Sequence, residues 1–239
     1  MDPWVWWIVV AYLVGTVVLV IATARPHAEE RSVLRFQNSL DLTLPAHLGD
    51  ALRRRMVNQR RSYLVGGAVG IATSAAALGS SPHSLPEHLL LWTLFGGLFT
   101  GVAIATAIGA LSSARPRLGD HERIARATAV GLNDYLAPLD RWTARVPVVF
   151  AVAAIPLSLV GTELGWAAIA SRPMFTSGVI LAAMAVISLV VFEVAARRIV
   201  AKGRPTGSVA ELVWDDAFRF QVLRDLRYAP LVLSAYALG

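Results

Sequence analysis

Five stretches of this chain run for about 20 residues with almost no charge, the length a helix needs to cross roughly 30 Å of hydrocarbon. They cover residues 4–23, 63–80, 89–112, 146–170 and 174–196. In lipid, only a helix or a closed barrel pairs all of its own backbone groups, and these runs lack the two-residue alternation of barrel strands. The fold class that follows is all-α. It is a polytopic integral membrane bundle of five transmembrane helices, with amphipathic cytoplasmic helices, in a single membrane domain over 1–239.

Charge placement orients the bundle. Of the 22 basic residues, eight lie in 24–62, six in 113–145 and seven in 197–228, while the links at 81–88 and 171–173 hold only Arg172. Lys and Arg in short loops stay on the cytoplasmic side. The three basic loops are therefore expected inside and the N-terminus outside. The opening Met1-Asp2-Pro3 has no basic n-region, and the run after it is too long for a signal-peptide core. Arg25 and Arg31 follow it, so a true span is expected.

The chain has no cysteine, which removes disulfides and thiolate metal sites. Arginine outnumbers lysine 21 to 1, and alanine and valine are abundant; that bias points to a GC-rich bacterial genome and a bacterial plasma membrane. A strongly basic chain ordinarily raises nucleic acid as a partner. Here the charge flanks membrane spans, so anionic lipid headgroups are the expected counterpart and nucleic acid is not.

A weak repeat marks the inner ends of three spans: Ala24-Arg25-Pro26, Ala114-Arg115-Pro116 and Gly203-Arg204-Pro205. Proline stops each helix and arginine snorkels to the headgroups. Amphipathic stretches follow. Leu44, Leu48, Leu52 and Met56 recur every four residues beside Arg53, Arg54 and Arg55. Ser208 and Glu211 have capping-box spacing, and Val209, Leu212, Val213, Phe220 and Leu223 then form an apolar stripe with Trp214 at its edge. Both stretches predict helices that lie on the inner membrane surface or dock a partner. From 229 to 239 the chain turns apolar again at about half the spanning length. A partial sixth span is expected, cut short in a six-span protein.

Small residues every four positions let helix backbones approach closely. Gly97, Gly101, Ala105 and Gly109 do this in the third run, and Gly66, Gly70 and Ser74 in the second. The short link between these runs predicts a tight hairpin rather than a homodimer face. Ionisable groups inside spans mark functional candidates. Glu163 lies near the outer end of the fourth run, below it sits Pro156, and the pair suggests a transport or proton path. The bland alternative is a hydrated carboxylate near Trp166, or one paired with Arg172. Glu193 is spaced for an i,i+4 pair with Arg197. His83, Glu87 and His88 are too few to hold a metal. Trp4, Trp6 and Trp7 mark the outer interface, and Trp142 and Trp214 the inner one.

Enzyme motifs are missing from the sequence. His121-Glu122 lacks a second histidine, no G-x-S-x-G occurs, and Lys202-Gly203 makes no phosphate-binding loop. Asp134, Asp140, Asp215 and Asp216 are the best remaining set for a membrane-surface lipid enzyme. No cofactor is expected. The leading expectation is a non-catalytic permease-like or accessory subunit, with a separate ATPase or other membrane subunit as partner. A stand-alone secondary transporter using Glu163 is the alternative.

Overall fold

The computed structural model describes residues 7, 10, 11, 14, 15, 18, 49–79, 87–112, 131–165, 172–201 and 209–238. The elbow tripeptides at 24–26, 114–116 and 203–205 lie outside them, as do Trp4, Trp6, Leu44, Leu48, His83, Trp166 and Ser208. Every regular element among the described residues is a helix. Within the first apolar run, Trp7, Val10, Val14 and Val18 are helical and exposed.

The bundle is built from α1 (Gly49–Gly79), α2 (Glu87–Ser112), the single turn α3 (Leu132–Tyr135), α4 (Pro138–Glu163) and α5 (Arg172–Ala201). α6 (Val209–Leu226) and α7 (Tyr228–Leu238) complete it, separated by the turn at Arg227 alone. The segments Arg53–Gly79, Leu90–Ser112, Pro138–Glu163 and Phe175–Ala201 are long and apolar enough to cross a membrane. The protein is a multi-pass helical membrane bundle.

Two helices are longer than the hydropathy suggests. α1 carries the arginine run and the second apolar run on one continuous helix of 31 residues. The expected surface helix around Met56 is thus the N-terminal extension of a span. α4 begins eight residues before the apolar run, with Pro138 in its first turn, where a missing N–H costs nothing.

α1 and α2 pack along a seam of glycine. A Cβ on Gly66 would sit 2.5 Å from the Gly101 carbonyl oxygen, and one on Gly70 would collide with that of Gly97. A Cβ on Gly97 would in turn lie 2.6 Å from the Gly70 oxygen. Gly109 faces Ser62, and Ala105 reaches Gly66. Backbone meets backbone here. With lipid as apolar as leucine, such close van der Waals contact is what drives association.

α2 then packs on α5, whose Leu181, Ala182, Ala185 and Ser188 are almost fully enclosed. α4 buries a single stripe, Ala144, Val148 and Ala151. Its remaining faces, including Phe150, Leu157 and Val160, point outward, as lipid-facing residues do. Pro147 and Pro156 lie within α4, and the helix continues through both.

α6 and α7 fill in the C-terminal third. α7 runs antiparallel along α5, and α6 meets α5 near Ile199. Arg219 meets Ile199 near the C-terminal end of α5, Leu223 and Leu226 join Phe192 in one core, and Leu233 joins Leu181 and Ala185 in another. A Cβ on Gly178, close to the start of α5, would touch the Ala237 carbonyl. The eleven residues of α7 therefore complete a path that α6 has already begun. Pro230, Leu233 and Ser234 are enclosed within it.

Candidate functional site

The polar chemistry of the described residues gathers at one end of the bundle, where α1 and α4 begin, α2 and α5 finish, and α3 and α6 lie between them. α6 supplies most of it. Its enclosed face is Trp214, Phe218, Val222 and Leu226, joined by Leu223 and Arg219. Val209, Val213 and Phe220 of the expected apolar stripe are exposed instead, and Leu212 is half-buried. The inward face is rotated because Asp215 and Arg219 come inward with it. A stripe counted from apolar residues alone misses a face whose charges are paired.

Asp215 is the hub of the first group. Its Oδ1 accepts from Arg55 Nη1 at 2.8 Å and its Oδ2 from Arg219 Nε at 2.7 Å. Arg219 also donates from Nη1 to the Ile199 carbonyl oxygen at 3.2 Å. The Arg55 guanidinium lies 3.8 Å above the Phe218 ring, a cation–π stack. Arg55, half-buried, thus links α1 to α6. Arg54 is exposed on the same helix, and Arg53 is half-buried with further interactions.

Three further links tie the same end together. Tyr135 Oη, on the turn α3, donates to Asp216 Oδ1 at 2.6 Å. Arg227, at the α6–α7 turn, pairs with Asp140 in the first turn of α4. Arg145 of α4 pairs with Glu193 of α5, Nε to Oε1 at 2.7 Å. The expected Glu193–Arg197 pair is therefore replaced by one between helices, and Arg197 is exposed. An i,i+4 spacing permits a pair, but a guanidinium on a packed neighbour outcompetes it.

Asp225 is held differently. Tyr63 Oη donates to its Oδ2 at 2.6 Å, Gln221 Nε2 to its Oδ1 at 2.8 Å, and Gln59 Nε2 approaches Oδ2 at 3.4 Å. Gln59 Nε2 also bonds the Tyr63 hydroxyl. Sequence reasoning missed this group entirely. The i,i+4 pairs Asp215–Arg219 and Gln221–Asp225 were the signals that could have found it, since each sets polar atoms of α6 side by side on neighbouring turns.

The remaining sequence candidates do not converge. Glu163 is exposed at the last position of α4, followed by Leu164 and by Gly165 with φ +72°. Pro156 is exposed two turns below it. Among the described residues, Asp134 accepts from the backbone N–H of Gly131, at 2.7 Å, on its own turn. Asp140 and Asp215 are engaged with arginines, and Asp216 with Tyr135, so these four aspartates share no opening. Among the described residues, no group of His, Cys, Asp and Glu could hold a metal ion.

The chain matches no family model, no curated protein and no solved structure.

Proposed function

We propose that this chain is a non-catalytic, multi-pass protein of a bacterial plasma membrane, acting as a permease-like or accessory subunit of a membrane assembly. Its N-terminus lies outside and its arginine-rich end faces the cytoplasm. One observation carries the reading. The acidic side chains that could do chemistry at that end are taken up in links between helices: Arg55–Asp215–Arg219, Tyr135–Asp216, Arg227–Asp140 and Arg145–Glu193.

Such links rigidify a bundle end and leave a basic rim. Arg54, Arg60, Arg61, Arg197, Arg198 and Arg224 are exposed there. A rim of this kind suits anionic headgroups or an acidic partner surface. Val213 and Phe220 add an exposed apolar patch on α6, which supports partner docking at the same end. ATP-driven work would need a separate ATPase, because this sequence holds no phosphate-binding loop.

A mild-detergent pull-down of the tagged chain from its native membrane, read by mass spectrometry, tests the proposal. A stoichiometric co-purifying membrane subunit or ATPase is the expected outcome. A chain that is recovered alone and carries out flux in proteoliposomes would overturn it in favour of a stand-alone transporter.

A further inference from the structure

We propose that an anionic phospholipid seats between α1 and α5, over the exposed face of α2, with its phosphate held by Arg61 and Arg198. The faces of α2 define the groove. Gly97 and Gly101 turn to α1, while Gly96 and Thr100 turn to α5, where they meet Met184 and Ser188. Ile104 follows Gly101 by three positions and Thr100 by four, and Ile108 follows Ile104 by four, so both lie on the strip between the two neighbours. Both are exposed.

The walls follow from the same spacing. On α1, Arg54, Arg61, Val65 and Val69 share one exposed stripe, turned away from the Gln59 and Tyr63 side that meets α6. On α5, Ile187, Val194 and Arg198 share another. Gly178 and Ala185 of α5 turn to α7 and Glu193 to α4, which leaves this stripe as the flank beside α2. The two guanidiniums come level. α2 and α5 run the same way, and nine positions beyond the Thr100–Ser188 contact stand Gly109, which faces Ser62 of α1, and Arg197.

Arg61 and Arg198 have no acidic partner among the described residues, whereas Arg55, Arg145, Arg219 and Arg227 do. Two such cations at the head of an apolar groove match a phosphate above its acyl chains. An acidic soluble surface would meet the arginines alone and leave the valine and isoleucine walls uncovered. One member of each arginine doublet stays out of the groove. Arg60 shares the face of Met56, which packs on the core, and Arg197 that of Glu193, which pairs with α4.

The proposal rests on the reading of the basic rim as a headgroup surface, but it needs no partner subunit, so a chain recovered alone in the pull-down leaves it standing. The purified full chain in mild detergent is unfolded thermally with rising amounts of dioleoyl phosphatidylglycerol or dioleoyl phosphatidylcholine in the micelles. A saturable rise in Tm with the first lipid and not the second is expected, because the lipid binds the folded chain. Arg61→Gln combined with Arg198→Gln weakens the apparent affinity about thirtyfold. Arg60→Gln combined with Arg197→Gln removes the same charge and leaves the affinity nearly unchanged. Equal weakening by the two double variants overturns the site in favour of a diffuse basic surface. Equal responses to the two lipids overturn it as well, and loss of a co-purifying subunit from the Arg61→Gln, Arg198→Gln chain would then give the groove to a protein.

Discussion

Arg219 donates a 3.2 Å hydrogen bond to the carbonyl oxygen of Ile199, and this contact sets the register between α6 and the C-terminal end of α5. From that point the chain descends beside α5 until Ala237 reaches Gly178. The bond therefore marks where this path beside α5 starts, and a further crossing over α6 and α7 is the expected topology.

Labelling can place both ends of that crossing, because the chain has no cysteine of its own. Leu238→Cys, at an exposed position near the start of α5, should react with a membrane-impermeant maleimide in intact cells. Arg54→Cys, exposed at the opposite end, should react only after permeabilisation. Labelling of both positions under the same condition would refute the crossing.

The glycine seam predicts a contrast between two identical substitutions in one helix. Gly70→Ala drives a Cβ into the Gly97 carbonyl, whereas Gly79→Ala meets nothing within 4 Å. Overpacking of this kind costs about 1–3 kcal/mol. Thermal unfolding in detergent should show a clear drop in Tm for Gly70→Ala and almost none for Gly79→Ala.

Asp215 should matter more than either of its partners. Arg55→Met leaves Asp215 bonded to Arg219, but Asp215→Ala removes the one carboxylate that sits between the half-buried Arg55 and the buried Arg219. Breaking a buried pair by removing one member costs about 3–5 kcal/mol. Chemical denaturation should rank Asp215→Ala well below Arg55→Met, and equal losses would contradict the hub geometry.

For Glu193 the informative comparison is between two arginines. Arg145→Met strands the Glu193 carboxylate, whose Oε2 has no hydrogen-bond partner among the described residues, and should lower stability by about 2 kcal/mol or more. Arg197→Met should change little, within about 0.5 kcal/mol for a surface position. The same melting assay reports both.

Glu163→Gln, by contrast, should leave stability and any measured flux unchanged. The carboxylate is exposed at the last residue of α4. A lost flux in a well-expressed variant would restore it as a transport residue.

The spans were legible because lipid sets a length and a polarity that a sequence states openly. Gly66, Gly70, Gly97 and Gly101 were legible for a similar reason, since four-residue spacing of the smallest residue points to one use. The polar end was not. Asp225 and Tyr63 are 162 positions apart, and Arg145 and Glu193 are 48, so no local pattern connects them. Charge also misled directly. Asp215, Arg219 and Asp225 mark α6 as a surface helix, although pairing carries two of those charges into the interior and neutral donors hold the third. The first apolar run lies mostly beyond the described residues.

The charges on α6 also carry a consequence for how the protein is made. A segment that carries Asp215, Arg219 and Asp225 along its first helix has little tendency to partition from the translocon into lipid by itself. It gains entry only once Arg55, Tyr63 and the Ile199 carbonyl are in place to receive it. Biogenesis would then proceed in two phases, with the earlier helices threaded first and the last element docked after synthesis onto a finished groove.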